Sequence, residues 1–391
     1  MLSERAELKI NYKHIEINYA QHSKKPGDPP GDIVIYERFY ASTVVIVSDG
    51  LGSGIKANIS ATMAGARLIE LIKRGFSIFD AVKSVVSTMH DAKQKDLPYA
   101  VFTVVNILND GVASILSYEM PPPVFIVNKY AAPLRERSFA LGGDIVNEYE
   151  CFLDENNALA VVSDGITQAG MGITNNYGWS IEGFCDYINK GLRAGCDLDK
   201  IMNGSVFEAK KACGGRFGDD TTAAFISCRR GNIINILTGP PANEEDDYKT
   251  VKKFLGAAGI KVVCGSSTAN MVARHLGLKL SVENKIVSNI EPPKYEIKGI
   301  DLVTEGAITL NQVYNIINED PQNFTANTGV CTLHSLFAFA DRVNFIVGRM
   351  KNEAHKDPVF LQLGVLGRTV IVPLIADKLR EKGKMATIEY I

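Results

Sequence analysis

The most distinctive pattern in the chain is a run of β-branched residues, Val44–Val47, that ends in Ser48-Asp49-Gly50-Leu51-Gly52-Ser53-Gly54. Such a run predicts a buried strand. Asp49 then lies at the end of the strand, where its side chain can point into a cleft, and the glycines allow the chain to turn tightly and to expose backbone carbonyls. Because an Asp-Gly pair by itself is more often a simple turn, the motif indicates a cation site only if other acidic residues join it.

Two more apolar runs meet acidic residues in the same way. Leu159–Val162 leads into Ser163-Asp164-Gly165, and Asp219-Asp220 stand shortly before the run Ala223–Ser227. Both runs have the composition of buried strands. Three acidic strand ends within one domain predict that their carboxylates share one site.

The spacing of apolar positions predicts two pairs of amphipathic helices set between groups of strands. The helices are expected at 55–74, 77–93, 180–193 and 197–212. Strands are expected at 7–20, 33–39, 44–48, 100–108, 112–118, 124–128, 149–153, 159–163, 221–227 and 233–237. This order predicts an α/β fold, an α-β-β-α sandwich of two antiparallel sheets flanked by the helix pairs.

A change of composition at Thr238-Gly239-Pro240-Pro241, followed by an acidic segment, predicts a domain boundary. We therefore expect a first domain over residues 1–240 and a smaller α/β domain over residues 241–391. In the second domain, helical patterns at 248–258, 267–276, 309–318 and 369–382 alternate with strand patterns at 260–264, 343–347 and 385–390. This alternation favours a compact domain with at least some parallel strands.

Composition argues against several classes of function. The chain has 42 basic and 44 acidic residues, which gives no support for nucleic acid or an acidic membrane surface as its partner. Its seven cysteines are scattered, as expected of reduced thiols in a cytoplasmic protein. The N-terminal residues lack the apolar core of a signal peptide, and no apolar run approaches the length of a membrane span. We therefore expect a soluble, cytoplasmic protein.

The acidic cluster has the chemistry of a divalent-metal site. Carboxylates without nearby His or Cys suit Mg²⁺ or Mn²⁺, and two such ions need several carboxylates, backbone carbonyls and waters. Asp49 is the natural bridge between two ions, with the Gly50 carbonyl on one ion and with Asp164 and Asp219 on the other. Two ions about 3.5 to 4 Å apart activate a shared water for in-line hydrolysis of a phosphate ester, so no nucleophilic side chain is needed.

Two further aspartates leave alternatives open. Asp32 follows the polar loop Lys24–Gly31 and begins a predicted strand, so it is either a turn residue or a fourth carboxylate of the site. Asp220 stands beside Asp219 and offers a third, weaker ion site. The number of metal ions, two or three, is therefore open at this point.

Four motifs resemble, in their order along the chain, those of the metal-dependent (PPM, type 2C) serine/threonine protein phosphatases, and in particular their SpoIIE-like bacterial branch. The motifs are Gly31-Asp32, Ser48–Gly54, Ser163–Ala169 and Gly218–Thr222, within a match over roughly residues 7–238. The resemblance implies that the metal site consists of Asp49, Gly50, Asp164 and Asp219, with Asp32 near the second ion and with Asp220 as a ligand or as a neighbour of the ligands. The chain departs from the family at Tyr118–Pro123, where many relatives carry a stretch like Asn-Ala-Gly-His-Pro-Pro.

The resemblance also implies an activity. The expected enzyme hydrolyses phosphoserine or phosphothreonine with a metal-bridged water, with Asp49, Asp164 and Asp219 as its catalytic residues, in bacterial signalling. The usual substrate of this branch is a phosphorylated protein, an anti-sigma antagonist, and a homodimer is a candidate assembly. The second domain is expected to regulate the enzyme or to recognise its partner. The alternative is a catalytically silent sensor of the same fold that binds a phosphoprotein or a small ligand.

One stretch of the second domain also leaves two interpretations open. Val262–Asn270 predicts a strand, a small polar loop and a helix N-terminus. Such a segment either caps its helix through Ser267 or Thr268 or binds an anion through backbone N–H groups. It lacks the Gly-Lys-Ser/Thr of a nucleotide-binding loop.

Overall fold

The computed structural model describes residues 12–52, 54–174, 176–282, 294–324, 328–350 and 364–391. The predicted strand residues 7–11 and Ser53 of the second motif lie outside the described residues. Contacts divide the chain into two compact units, Lys13–Arg230 and a second unit made of Gly231–Ile391 together with Tyr12. In the described ranges, no helix is both long enough and apolar enough to cross a lipid bilayer.

The first unit alternates groups of strands with helices. Its strands are β1 Lys13–His22, β2 Asp32–Arg38, β3 Ser42–Gly50, β4 Ala100–Leu108, β5 Val112–Tyr118, β6 Val124–Val127, β7 Tyr130–Pro133, β8 Arg137–Leu141, β9 Asp144–Phe152, β10 Ala158–Val162 and β11 Thr221–Arg230. Its helices are α1 Ile55–Lys73, α2 Ile78–Gln94, α3 Asp164–Thr167, α4 Ser180–Arg193 and α5 Leu198–Ala212.

Two antiparallel sheets form the centre of this unit, and each sheet carries one helix pair. Six strands form one sheet in the order β2-β3-β4-β5-β9-β8, and five form the other in the order β1-β11-β10-β6-β7. Helix α1 packs on β2 and β3 and α2 on β4, whereas α4 contacts β7 and α5 contacts β11. The predicted α-β-β-α sandwich is therefore confirmed.

Strand β10 shows why the central strands are apolar throughout. Leu159 and Val161 belong to the core that also contains residues of β3, β4 and β5, whereas Ala160 and Val162 pack with Phe184 of α4. Successive side chains of a strand point to opposite faces. A strand that is covered on both faces must therefore be apolar at every position, which is the pattern seen in the sequence.

Three short elements of the first unit were not predicted. Strands β7 and β8 lie at the edges of their sheets, and β8 is mostly exposed, so its sequence lacks the apolar signal of a buried strand. Helix α3 makes Asp164 the first residue of a helix instead of the last residue of a strand. This difference changes the local backbone at Asp164 but not its position beside β10.

The second unit contains one mixed sheet. Its strands are β12 Ile233–Thr238, β13 Ile260–Cys264, β14 Ser281–Val282, β15 Lys294–Glu296, β16 Leu302–Thr304, β17 Arg342–Val347 and β18 Met385–Tyr390. Its helices are α6 Asp247–Gly256, α7 Ser266–Leu276, α8 Ala307–Ile316, α9 Gly329–Phe339 and α10 Arg368–Glu381. The strand order is β14-β15-β16-β13-β12-β17-β18. The five strands from β16 to β18 in this order are parallel, which confirms the predicted parallel strands.

The assignment of the strand at 233–237 to the first domain was wrong. This strand, β12, pairs with β13 on one side and with β17 on the other, in the sheet of the second unit. The Gly-Pro-Pro stretch that follows it is therefore a connection between β12 and α6 and not a linker between domains. An apolar strand of six residues carries no local signal of the sheet to which it belongs.

The predicted cap of α7 also differs. Gly265 is the N-cap, without a side-chain cap hydrogen bond. Thr268 Oγ1 instead accepts a hydrogen bond of 2.8 Å from the backbone N–H of Gly239, which follows β12. Thr268 therefore joins the ends of β12 and α7 instead of capping its own helix.

Candidate metal centre

Two of the predicted acidic residues face each other on neighbouring strands. Asp32 on β2 lies opposite Asp49 on β3. Gly50, the last residue of β3, donates its N–H to the carbonyl of Gly31 at 3.3 Å. A Cβ at Gly50 would lie 1.9 Å from the carbonyl oxygen of Ala57, so only glycine allows α1 to pack this closely against the end of β3.

The other two acidic residues come from the five-stranded sheet. Asp164 begins α3 directly after β10, and Asp219 stands just before β11. The backbone N–H of Ser163 donates to the carbonyl of Thr222, and the N–H of Thr222 donates to Ser163 Oγ, both at 3.0 Å. These bonds hold the turn after β10 against the start of β11, and they bring Asp164 and Asp219 together.

The carboxylates lie close enough to oppose one another's ionisation. Burial, followed by the negative charges of Asp32 and Asp164, raises the pKa of Asp49 far above its usual range. Burial raises the pKa of Asp32 to about 6, and burial followed by the charge of Asp219 raises the pKa of Asp164. A cluster that retains protons when no cation is present is one that a cation stabilises in its ionised form.

The surroundings of the Asp32 carboxylate also favour a bound cation. Its side chain is 1% exposed, and its carboxylate oxygens make no hydrogen bond of good geometry with a described residue. Burial has the larger effect on its pKa, although the hydroxyl groups of Thr222 and Ser163 lie close enough to lower it. An uncompensated buried carboxylate costs several kcal/mol, on the order of the penalty for leaving one partner of a buried ion pair alone. Oxygen donors without His or Cys suit Mg²⁺ or Mn²⁺.

The side chains of the site have suitable donor atoms for a divalent cation, but they do not by themselves form a complete coordination shell. In the described part of the chain, no three His, Cys, Asp or Glu side chains are arranged as ligands of a single ion. Mg²⁺ usually retains several waters and is held by one or two carboxylates. The site therefore fits divalent cations in charge and donor type, with waters in the remaining positions.

Asp220 has different surroundings from the other aspartates. Its side chain is buried, and its Oδ1 accepts the backbone N–H of Lys24 at 2.7 Å while its Oδ2 accepts that of Gly31 at 2.9 Å. The Lys24 ammonium lies 3.5 Å from Asp219 Oδ1. Lys24 was not predicted as a site residue, because a lysine in a Lys-Lys-Pro-Gly loop has the pattern of a solvated turn.

Gln21 is a second residue that was missed. Its Nε2 donates to the carbonyl of Asp32 at 2.7 Å and to Thr222 Oγ1 at 3.1 Å. This amide therefore links β2 of the six-stranded sheet to β11 of the five-stranded sheet. No local pattern distinguishes such a glutamine from any other residue at the end of a half-buried strand. The structure thus brings all the predicted site residues to one end of the two sheets, together with two polar residues that only the fold identifies.

Solved structures similar to this chain include domains of three bacterial proteins. The RsbU and RsbW domains of a Mycobacterium tuberculosis protein are 15% identical, with 62% of this chain and 69% of that chain covered and a TM-score of 0.48. The phosphatase domain of SpoIIE from Bacillus subtilis, solved with a fragment of its regulatory domain, is 16% identical over 56% of this chain and 63% of that chain, with a TM-score of 0.48. The SiaA-PP2C domain of Pseudomonas aeruginosa is 16% identical over 54% of this chain and 84% of that chain, with a TM-score of 0.43.

The sequence match is more informative than these structural likenesses. Residues 41–229, just under half of the chain, match the family described as Stage II sporulation protein E (SpoIIE). No curated protein sequence matches the chain. The matched segment begins just before β3 and ends within β11, so it contains Asp49, Asp164 and Asp219. Over residues 41–229 the chain is therefore similar to the SpoIIE family, as its motifs around Asp49, Asp164 and Asp219 predict.

Proposed function

We propose that the first unit is a Mg²⁺- or Mn²⁺-dependent serine/threonine protein phosphatase that acts in bacterial signalling. The observation that carries the proposal is the meeting of carboxylates from both sheets at one partly buried site. Asp32 and Asp49 come from the six-stranded sheet, and Asp164 and Asp219 come from the five-stranded sheet. Burial and the neighbouring carboxylates raise the pKa of Asp49 and of Asp164, and bound cations would stabilise their ionised forms. The SpoIIE match over residues 41–229 supports a phosphatase.

Each residue of the site has a proposed role. When bound, two divalent ions would lower the pKa of a shared water and neutralise phosphoryl oxygens. Asp49, shared between the two ions, would hold them together with the Gly50 carbonyl, Asp164 and Asp219. Cation binding would release the proton that burial and the neighbouring carboxylates hold on Asp49 in the cation-free protein. Asp32 remains away from water beside Asp49, where its negative charge favours cation binding.

The proposed substrate is a phosphoserine or phosphothreonine of a partner protein, with an anti-sigma antagonist as the candidate class. This part of the proposal is supported by the family of residues 41–229 and not by a contact in the site. The second unit is proposed to recognise the partner or to regulate the enzyme. The proposed location of the protein is the cytoplasm. A homodimer is the proposed assembly.

The test compares wild type with Asp49→Asn, and uses Asp91→Asn as the matched control because Asp91 is an exposed aspartate of α2 in the same unit. Hydrolysis of p-nitrophenyl phosphate and of a phosphoserine peptide is measured with Mn²⁺, with Mg²⁺ and with EDTA. We expect turnover in wild type and in Asp91→Asn with either metal and none with EDTA. In Asp49→Asn we expect a loss on the order of 10²-fold or more, because the bridging carboxylate is absent.

Calorimetric titration with Mn²⁺ completes this test. Weaker binding in Asp49→Asn than in Asp91→Asn is the expected result. A folded wild-type protein that binds Mn²⁺ but hydrolyses neither substrate would contradict the proposed enzyme and favour the catalytically silent sensor. Equal activity of the two variants would contradict the assignment of the metal site.

A further inference from the structure

Both oxygens of Asp220 are used by backbone donors. The two donors are the N–H groups of Lys24 and Gly31, at 2.7 and 2.9 Å, and they belong to the connection between β1 and β2, residues 23–31, which is called here the β1–β2 loop. One carboxylate therefore binds the loop near its start and at its end. Hydrogen bonds to an ionised acceptor are among the stronger ones in proteins, and the side chain is only 4% exposed.

The β1–β2 loop connects Asp220 to the predicted ligands of the other sheet. Gly31 directly precedes Asp32, and its carbonyl accepts the N–H of Gly50 at 3.3 Å. The neighbouring carbonyl of Pro30 accepts a hydrogen bond of 2.7 Å from Asn58 Nδ2 on α1. A continuous series of hydrogen bonds thus connects Asp220, just before β11, with the first residue of β2 and the last residue of β3.

The contact between Asp220 and Gly31 is tight. A Cβ at Gly31 would lie 2.8 Å from Asp220 Oδ2 and 3.0 Å from the Cβ of Ala57. The absence of a side chain at Gly31 is therefore required for the carboxylate to approach this backbone N–H. A substitution at either residue should break the same contact.

We propose that Asp220 is a positioning residue and not a metal ligand. It holds the β1–β2 loop and, through Gly31, sets Asp32 and the Gly50 carbonyl at the correct distance from Asp219. The same bond to the N–H of Lys24 keeps the Lys24 ammonium beside Asp219. The metal part of this inference depends on the proposed function, whereas the holding of the loop does not.

Limited trypsin digestion of the cation-free full chain tests the holding of the loop. Cleavage between Lys24 and Lys25 reports release of the β1–β2 loop, because the next bond precedes a proline and resists trypsin. Cleavage after the exposed Lys129 in the β6–β7 turn is the internal reference. We expect Asp220→Ala and Gly31→Ala each to raise the ratio of the two cleavage rates about tenfold, as for the loss of a hydrogen bond to a charged group.

Calorimetric titration with Mn²⁺ separates positioning from ligation. We expect Asp220→Ala and Gly31→Ala to weaken Mn²⁺ binding by similar factors, and the double variant to be no weaker than either single variant, since both changes break one contact. In the phosphatase assay, we expect a lower kcat with little change in KM for the peptide.

One pattern would overturn the proposal. If Asp220 is a ligand, Asp220→Ala loses a bound ion or binds Mn²⁺ weakly, while Gly31→Ala, which retains the carboxylate, binds as wild type does. Unchanged cleavage after Lys24 in both variants would overturn it as well. If Asp220→Ala does not fold, Asp220→Asn replaces it, since the amide retains one acceptor and should give an intermediate cleavage ratio. If wild type binds no Mn²⁺, the proposed function fails, and the cleavage ratios alone decide whether Asp220 holds the loop.

Discussion

Asp32 is an unusual carboxylate because it is both buried and poorly hydrogen-bonded. It is almost fully buried, and its oxygens make no hydrogen bond of good geometry with a described residue. Burial accounts for its raised pKa, and the nearby charge of Asp220 adds to the effect. Because an opposite charge offsets the cost of a buried carboxylate, the stability of this protein should increase when divalent cations bind.

We expect Asp32→Asn to stabilise the cation-free protein relative to wild type at pH 8. The folded-state pKa of Asp32 is about 6, above its ordinary value of 3.8. The stability that the protonated acid provides is therefore complete below about pH 4 and is lost as the pH rises through 6. In urea unfolding with EDTA, the variant should gain roughly 1 kcal/mol relative to wild type between pH 5 and pH 8.

The same variant should respond less to metal. Adding Mn²⁺ at pH 8 should raise the unfolding midpoint of wild type more than that of Asp32→Asn, because the variant lacks one of the charges that the cations neutralise. Asp91→Asn should behave as wild type in both experiments. A variant that is less stable than wild type at both pH values in EDTA would show that the Asp32 carboxylate makes a stabilising hydrogen bond in the cation-free protein.

At the scale of elements, the junction between β3 and α1 is the feature on which the site depends most. Gly50 ends the strand that carries Asp49, and its Cα lies against the backbone of Ala57 in the first turns of α1. The position of the Gly50 carbonyl and the packing of the helix are therefore linked. A change in one must move the other.

We expect Gly50→Ala to destabilise the protein by about 1–3 kcal/mol, because the added methyl group overlaps the backbone of α1. Gly65→Ala is the matched control on the buried face of the same helix. Its added Cβ would meet only the ends of Ile33 and Ile35 at 3.0 Å, so we expect a change within about 1 kcal/mol. Urea unfolding in EDTA measures both changes, and Mn²⁺ titration should show weaker binding for Gly50→Ala alone.

The elements that the sequence predicts best are those with a strong local signal. Helix α2 begins after Ser77, whose Oγ accepts the N–H of Asp80 at 3.0 Å, as its capping pattern predicts. The edge strand β8 was missed because its polar residues face solvent. Helix α9 was missed because most of its residues are apolar, so that its sequence Gly-Val-Cys-Thr-Leu-His-Ser-Leu-Phe-Ala-Phe shows little helical period.

At the scale of the whole molecule, the division into two units is decided by the pairing of one strand. β12 lies in the middle of the parallel part of its sheet, between β13 and β17. The residue at which the first unit ends is Arg230, ten residues before the boundary that composition predicts. A fragment that begins at residue 241 would lack a central strand.

We therefore expect residues 231–391 to form a folded fragment and residues 241–391 not to do so. Loss of β12 removes both ladders that connect β13 to β17 and leaves the buried residues around Ile234 and Ile236 without their strand. Circular dichroism and urea unfolding of the two fragments provide the measurement. A cooperative transition for 231–391 alone is the expected result, and equal cooperativity of both fragments would contradict the strand assignment.

Features that depend on residues close to one another along the chain could be predicted from the sequence. These are the period of each long helix and central strand, the glycine-rich turn after Asp49, the oxygen-only donor set, and the motifs of the family. Three features became visible in the folded chain alone: the sheet to which β12 belongs, the burial of Asp32, and the binding of the β1–β2 loop backbone by Asp220. Burial and hydrogen-bond partners depend on residues far apart in the chain, such as Lys24 and Asp220 at a separation of 196 positions, and no local pattern encodes them.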